Sequence, residues 1–140
     1  MVIEKVDTLV VGAGQAGIAA SEHLSNHGIQ HVVLERDRIA EKWISARWDS
    51  LVSNGPAWHD RFPSRNFDDP NHDAFISKQD IANYFNDYVK QIKAPVRCGV
   101  NVEQDYEVRE QRRLVVASQS LGFDRLFGGN SNNNPAAIAI

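Results

Sequence analysis

The chain has 140 residues, 42% hydrophobic and 24% charged, a balance that excludes a disordered chain or a membrane-embedded one and fits a soluble globular domain. Its net charge of −3 gives no sign of a nucleic-acid or anionic-membrane partner. Cys98 is the single cysteine, so no intrachain disulfide forms, and the reading is a cytoplasmic protein with no room for a leader ahead of its first strand.

Val6-Asp7-Thr8-Leu9-Val10-Val11 is a short, β-branched apolar run that breaks at Gly12, and a helix-compatible run opens directly behind it. Gly12, Gly14 and Gly17 have the G-x-G-x-x-G spacing of a dinucleotide-binding turn. In such a turn the first glycine allows the sharp change from strand to helix. The second removes the Cβ that would block a pyrophosphate, and the third lets the helix pack closely on the strand. The pyrophosphate would sit on free backbone N–H groups at the positive end of the helix. That helix is expected over Gln15 to Asn26, with Gly28 closing it in a left-handed conformation. A second strand, Ile29 to Leu34, follows and ends on Glu35, about 20 residues beyond the glycines, where an acid accepts hydrogen bonds from a ribose. His23 and His27 stand four apart on the helix, but no acid or thiol at a suitable spacing joins them. They read as surface histidines, and no metal site is expected.

After Glu35 the character changes. Glu35-Arg36-Asp37-Arg38 is polar, and Ile39 to Pro63 holds all three tryptophans, Trp43, Trp48 and Trp58, with a turn signal at Asn54-Gly55-Pro56. Two readings stay open. The rings cap the sheet and fill a core, or they wall a flat aromatic ligand with Asn54 and Arg47 as convergent polar groups.

The ordered combination of Val10-Val11-Gly12-Ala13-Gly14-Gln15-Ala16-Gly17, Leu34-Glu35-Arg36, Trp43 and Arg47-Trp48-Asp49-Ser50-Leu51 resembles the start of a flavin-containing monooxygenase. Baeyer–Villiger-like and YUCCA-like flavoproteins are the nearest kin in this reading, which covers Val2 to Val102. The resemblance implies an α/β, Rossmann-like FAD/NAD(P)-binding three-layer unit, incomplete relative to the family. It implies that the cofactor contacts are Gly12, Ala13, Gly14, Gln15, Ala16, Gly17, Glu35, Arg36, Lys42, Trp43, Arg47, Ser53, Asn54 and Val102. Within that set the glycine turn would hold the FAD pyrophosphate and Glu35 the ribose. The family's Gly-Gly-x-Trp-like segment reads Ala40-Glu41-Lys42-Trp43 here, so Trp43 matches and Glu41 replaces a glycine. Ser53-Asn54 falls where relatives place Thr-Asn beside the flavin and nicotinamide rings, which makes Asn54 the implied catalytic residue.

Asn66 to Asp73 is a polar linker containing Pro70. Ser77-Lys78-Gln79-Asp80 then reads as a capping box, with Asp a shorter substitute for the usual Glu. Ile81, Tyr84, Phe85, Tyr88, Val89 and Ile92 form the apolar stripe of a helix ending near Lys93, and this aromatic stripe reads as core. Pro95 stops the helix and starts an extended Val96 to Val102, whose end the resemblance places at the adenine through backbone groups near Val102. Cys98, with no adjacent His or helix end, reads as a buried structural thiol. Leu114 to Ala117 is one more strand. The Gly/Asn/Ser-rich stretch beyond reads as low-complexity and disordered, which divides the chain into an FAD-binding domain at 1–117 and a tail at 118–140.

The function expected from all this is an FAD-binding module of a flavin-dependent, NAD(P)H-linked monooxygenase-type oxidoreductase acting on a small organic substrate. NADPH or NADH would be the reductant in the full-length family. No second G-x-G-x-x-G occurs, so a truncated non-catalytic nucleotide-binding fragment stands as one alternative. An NAD-dependent oxidoreductase is another, because Glu35 suits an NAD ribose equally. The sequence points to neither nucleic acid nor membrane as a partner. Self-association, or a partner chain supplying the missing second domain, is expected from the strand edges and apolar faces left uncovered.

Overall fold

The computed structural model describes residues 3–59, 61–67, 71–108, 113–120, 123–125, 128–130 and 134–139. Its centre is a parallel sheet of β2 (Thr8–Val11), β3 (His31–Glu35) and β6 (Val96–Cys98), in the order β2-β3-β6. Thr8 aligns with His31 and Val11 with Leu34, while Val33 aligns with Val96 and Glu35 with Cys98. Strand β3 lies in the middle and is covered on both faces, as its unbroken Val32-Val33-Leu34 run requires. Val33 joins the larger core with Ile18, Ile81, Phe85 and Tyr88, whereas Val32 and Leu34 pack on the opposite face with Val6, Val100 and Val102.

Helix α1 (Gln15–Asn26) connects β2 to β3 and packs on both. Its end is as the sequence predicts: His27 closes the last turn and Gly28 follows at φ 68°. Helix α3 (Lys78–Gln91) buries Ile81, Tyr84, Phe85, Tyr88 and Val89, the expected stripe. Ser77 caps it by accepting from the Asp80 N–H at 3.1 Å and donating its hydroxyl to Asp80 Oδ2 at 2.6 Å. The shorter Asp thus closes the box on the Ser hydroxyl. Phe62 stacks on Tyr88 at 4.0 Å and on Tyr84 at 5.2 Å, and the Tyr84 hydroxyl accepts from the Phe62 N–H. The Tyr88 hydroxyl donates to the buried Glu22 carboxylate of α1, which ties the two helices together.

Between these helices lie the four-residue α2 (Glu41–Ile44) and an antiparallel pair, β4 (Val52–Pro56) with β5 (Phe75–Ser77). The expected first strand is split at Asp7, because the Asp7 and Thr8 N–H groups both donate to the Gln30 carbonyl. The piece before the split is β1 (Ile3–Val6). The extended run expected over Val96 to Val102 is likewise broken, by Gly99 at φ 77°, before β7 (Asn101–Val108) begins.

Beyond β7 come β8 (Arg113–Ser120), β9 (Phe123–Arg125), β10 (Gly128–Asn130) and β11 (Asn134–Ala139). Strands β7, β8 and β9 form one antiparallel sheet, and β1, β11 and β10 another. The sequence predicts disorder over 118–140, yet the described residues there include three whole strands, and Ile3 aligns with Ala139 and Val6 with Ala136. A strand such as β1 presents a row of N–H and C=O groups that an extended segment satisfies whatever its composition.

Candidate functional site

The strand-to-helix turn is built as its glycines demand. Gly12 has φ 96°, a left-handed backbone that suits glycine, and its N–H donates to the Leu34 carbonyl at 2.7 Å. A Cβ on Gly17 would stand 2.0 Å from the Gly12 carbonyl oxygen, so Gly17 is required by the fold itself. Gly14 differs in kind. It is the N-cap of α1, and a Cβ there would meet nothing within 4 Å. No side chain caps α1, so the N–H groups of its first turn point outward without an intrahelical partner.

Those groups open on a cleft of about 510 Å³, a volume ordinary for a ligand site. Of the residues singled out in the sequence, Gly12, Ala13, Gly14, Gln15, Glu35, Arg36, Lys42, Trp43, Arg47 and Val102 line it. Ala16 and Gly17 do not reach it. Ala16 is exposed on α1, and Gly17 faces β2.

Glu35 ends β3 at the cleft, held at both oxygens. Its Oε2 accepts the Ala13 N–H at 2.7 Å and its Oε1 accepts the Asp37 N–H at 2.9 Å. The carboxylate is thereby fixed in direction, and each oxygen keeps a lone pair for a further donor. Ala13 is buried and spends its N–H on Glu35, so its part is to anchor the acid rather than to meet a ligand.

The cleft is rich in charge. Arg36 pairs with Asp37 at 3.0 Å, and Arg38 forks onto Glu41 at 2.5 and 2.9 Å. The Arg38 guanidinium and the Ser45 hydrogen bond hold Glu41 down to a pKa of about 2. In the Ala40-Glu41-Lys42-Trp43 segment the left-handed residue is Ala40, at φ 60°, and Glu41 simply turns to Arg38. The Arg47 guanidinium lies 4.7 Å from the centre of the Trp43 ring. Trp43 therefore walls the cleft, whereas Trp48 and Trp58 are more than half exposed and line neither it nor the recess beside it.

Asn54 lines that recess, of about 140 Å³, with Arg61, Phe62, Phe67, Ile76, Ile81 and Tyr84. Gln15, Trp43 and Phe85 wall both spaces, so the recess adjoins the cleft. Ser53 points elsewhere. Its buried hydroxyl donates to the Gly55 carbonyl at 2.6 Å and accepts the Ile76 N–H at 2.9 Å, joining β4 to β5. Its alternating position on β4 explains this, since neighbours on a strand face opposite ways.

Cys98 departs from expectation. The residue is exposed, although partial burial of its thiol, with the Glu35 carboxylate nearby, pushes the thiol's pKa up. On α1, the His27 Nδ1–H donates to the His23 carbonyl, and no cluster of metal-ligating residues occurs among the described residues. No described helix is long and apolar enough to cross a membrane.

The cleft walls that sequence reasoning missed include Asp37, Arg38, Glu41, Phe85, Val100 and Asn101. Phe85 was visible only as one ring of the α3 stripe, and it serves core and cleft together. Val100 and Asn101 sit beside Glu35 because the Val100 N–H donates to the Glu35 carbonyl at 2.9 Å.

Fold and cleft together define a Rossmann-like dinucleotide-binding α/β unit. Residues 5–46 match the family model described as FAD binding domain. The chain is 34% identical over 99 residues to an uncharacterized CzcO-like oxidoreductase of Geobacillus kaustophilus, covering 69% of this chain and 28% of that one. It is 31% identical over 96 residues to the probable indole-3-pyruvate monooxygenase YUCCA1 of Arabidopsis thaliana, covering 68% and 23%. Among solved structures, a flavin-containing monooxygenase of Stenotrophomonas maltophilia superposes with a TM-score of 0.72 at 24% identity, over 86% of this chain and 36% of that one. A bacillithiol disulfide reductase of Bacillus cereus gives 0.78 at 18% identity, over 88% and 37%. These structural likenesses establish the fold. The chain resembles the FAD-binding part of flavin-monooxygenase-like flavoproteins, and it spans 28% and 23% of the length of these two curated relatives.

Proposed function

We propose that the chain is the FAD-binding module of a flavin-dependent, NAD(P)H-linked oxidoreductase of the monooxygenase type, acting on a small organic substrate. The observation that carries this is Gly14: its Cβ position is open in the protein alone, at the head of an uncapped helix, facing a cleft that Glu35 also lines. A glycine that the fold does not need there is explained by a ligand that does.

The first-turn N–H groups of α1 at Gly14 and Gln15 hold the pyrophosphate, with Lys42 and Arg47 adding positive charge. Glu35 accepts the ribose hydroxyls, Arg36 flanks it, and backbone groups at Asn101 and Val102 border the adenine. Trp43 walls the flavin end, and the Asn54 amide, across the shared wall of Gln15 and Phe85, offers a hydrogen bond toward the reacting edge. FAD supplies the redox chemistry when bound, and the residues here bind, orient and exclude water. All of them fall between 14 and 102, within the FAD-binding stretch expected at 1–117. A nicotinamide-binding domain is required from elsewhere, in the same protein or a partner, and the cytoplasm is the assigned compartment. An NAD-dependent reading uses the same Glu35, but the Trp43–Arg47 wall favours the larger flavin.

Two glycine variants test the assignment. Gly14→Val is expected to fold, with stability changed by no more than about 1 kcal/mol, yet to lose FAD binding. Gly17→Ala is expected to lose stability by at least ~1–3 kcal/mol through overpacking against Gly12. Unfolding midpoints and FAD titration read the two effects separately, and a Gly14→Val protein that binds FAD normally would contradict the proposal.

A further inference from the structure

Lys78 occupies the first turn of α3, where a cation is disfavoured by the helix dipole. Its side chain is turned away from the helix and is mostly buried, 18% exposed. The ammonium donates to Asp49 Oδ1 at 2.7 Å and to the Arg47 carbonyl oxygen at 3.3 Å. The Lys78 backbone N–H also donates to the Leu51 carbonyl at 3.2 Å. The loop from 45 to 51 carries Arg47 back from α2 toward β4. Its other hydrogen bonds among the described residues are local, from the Ser45 N–H and hydroxyl to the Glu41 carbonyl and from the Leu51 N–H to the Trp48 carbonyl. Lys78 is thus the residue that fastens this loop to a rigid element.

The loop matters because the Arg47 guanidinium lies over Trp43, and both line the cleft. Arg36 and Arg38 are each engaged by a carboxylate, Asp37 and Glu41. Arg47 is instead held through a ring and through its own backbone, so its charge stays open to an anion. We infer that Lys78 is a positioning residue for the dinucleotide site: it fixes the Arg47 carbonyl and Asp49 so that the Arg47–Trp43 stack is preset against the cofactor. This deepens the FAD-binding reading and rests on it. Lys78 touches no cofactor atom itself and acts through Arg47.

The test is a double-substitution cycle on FAD affinity, with unfolding midpoints measured in parallel. Lys78→Met is expected to weaken FAD binding about three- to tenfold, the range of coupling within one hydrogen-bonded network. In an Arg47→Ala background the same substitution is expected to have no further effect, and Lys78→Arg is expected to restore most of the affinity. Should Lys78→Met fail to fold, Asp49→Ala removes the same contact from the exposed partner and carries the same expectation. A wild-type chain that binds no FAD overturns the functional reading itself. Normal FAD binding by the Lys78 or Asp49 variant, or losses that multiply independently of Arg47, overturns this inference alone.

Discussion

Glu35 shows how one side chain can be prepared by its neighbours. Two backbone donors, from Ala13 and Asp37, hold its carboxylate at the strand end, so a ribose would meet an acid already pointed at it. The acid's place was legible because strand, turn, helix and strand fall in register. Its anchoring was not, since no pattern in the sequence shows which backbone N–H turns away from a ligand. Ser53 is the opposite case: the resemblance put it in one site with Asn54, and strand alternation sends the two apart. Glu41 carries a prediction of its own. Arg38 holds it down to about 2, well below its ordinary value near 4.5. A depressed carboxylate contributes stability that is fully present above its unfolded pKa and is lost as pH falls through the folded one. The Arg38–Glu41 contribution is therefore intact at pH 5 and fades toward pH 2. Carboxyl NMR titration reads this directly, and Arg38→Gln is expected to return Glu41 toward its ordinary range.

At the scale of elements, α1 and α3 were legible from caps and periodicity, and their boundaries fall where Gly28, Ser77 and Pro95 punctuate the chain. Ser77 makes both bonds of the α3 cap, so Ser77→Ala is expected to cost about 1 kcal/mol. The measurement is a lower urea midpoint at unchanged slope. Strands β1 and β11 were not legible as a pair. Their pairing joins residues more than a hundred positions apart, and the Asn-rich stretch before β11 has no period to mark it. The break at Asp7 escaped notice for a related reason: it follows from two hydrogen bonds to Gln30, and Val6 to Val11 reads as one apolar run.

Across the whole molecule, one central strand and two helices bring the glycine turn, Glu35 and Trp43 to the same cleft, though they are spread over thirty residues of chain. The sheet is covered on both sides at β3, while Val11 at the end of β2 stays 58% exposed beside the cleft. The glycine turn and Glu35 were readable because their spacing follows from one strand–helix–strand unit. Phe85 and Asn101 came from later elements, and only the folded chain shows them beside that turn. The measurement that decides the account is the absorbance spectrum of the chain after loading with FAD and removal of free cofactor. Stoichiometric flavin, released as intact FAD on denaturation, is the predicted result. A colourless protein that takes up no added FAD while remaining folded would contradict it.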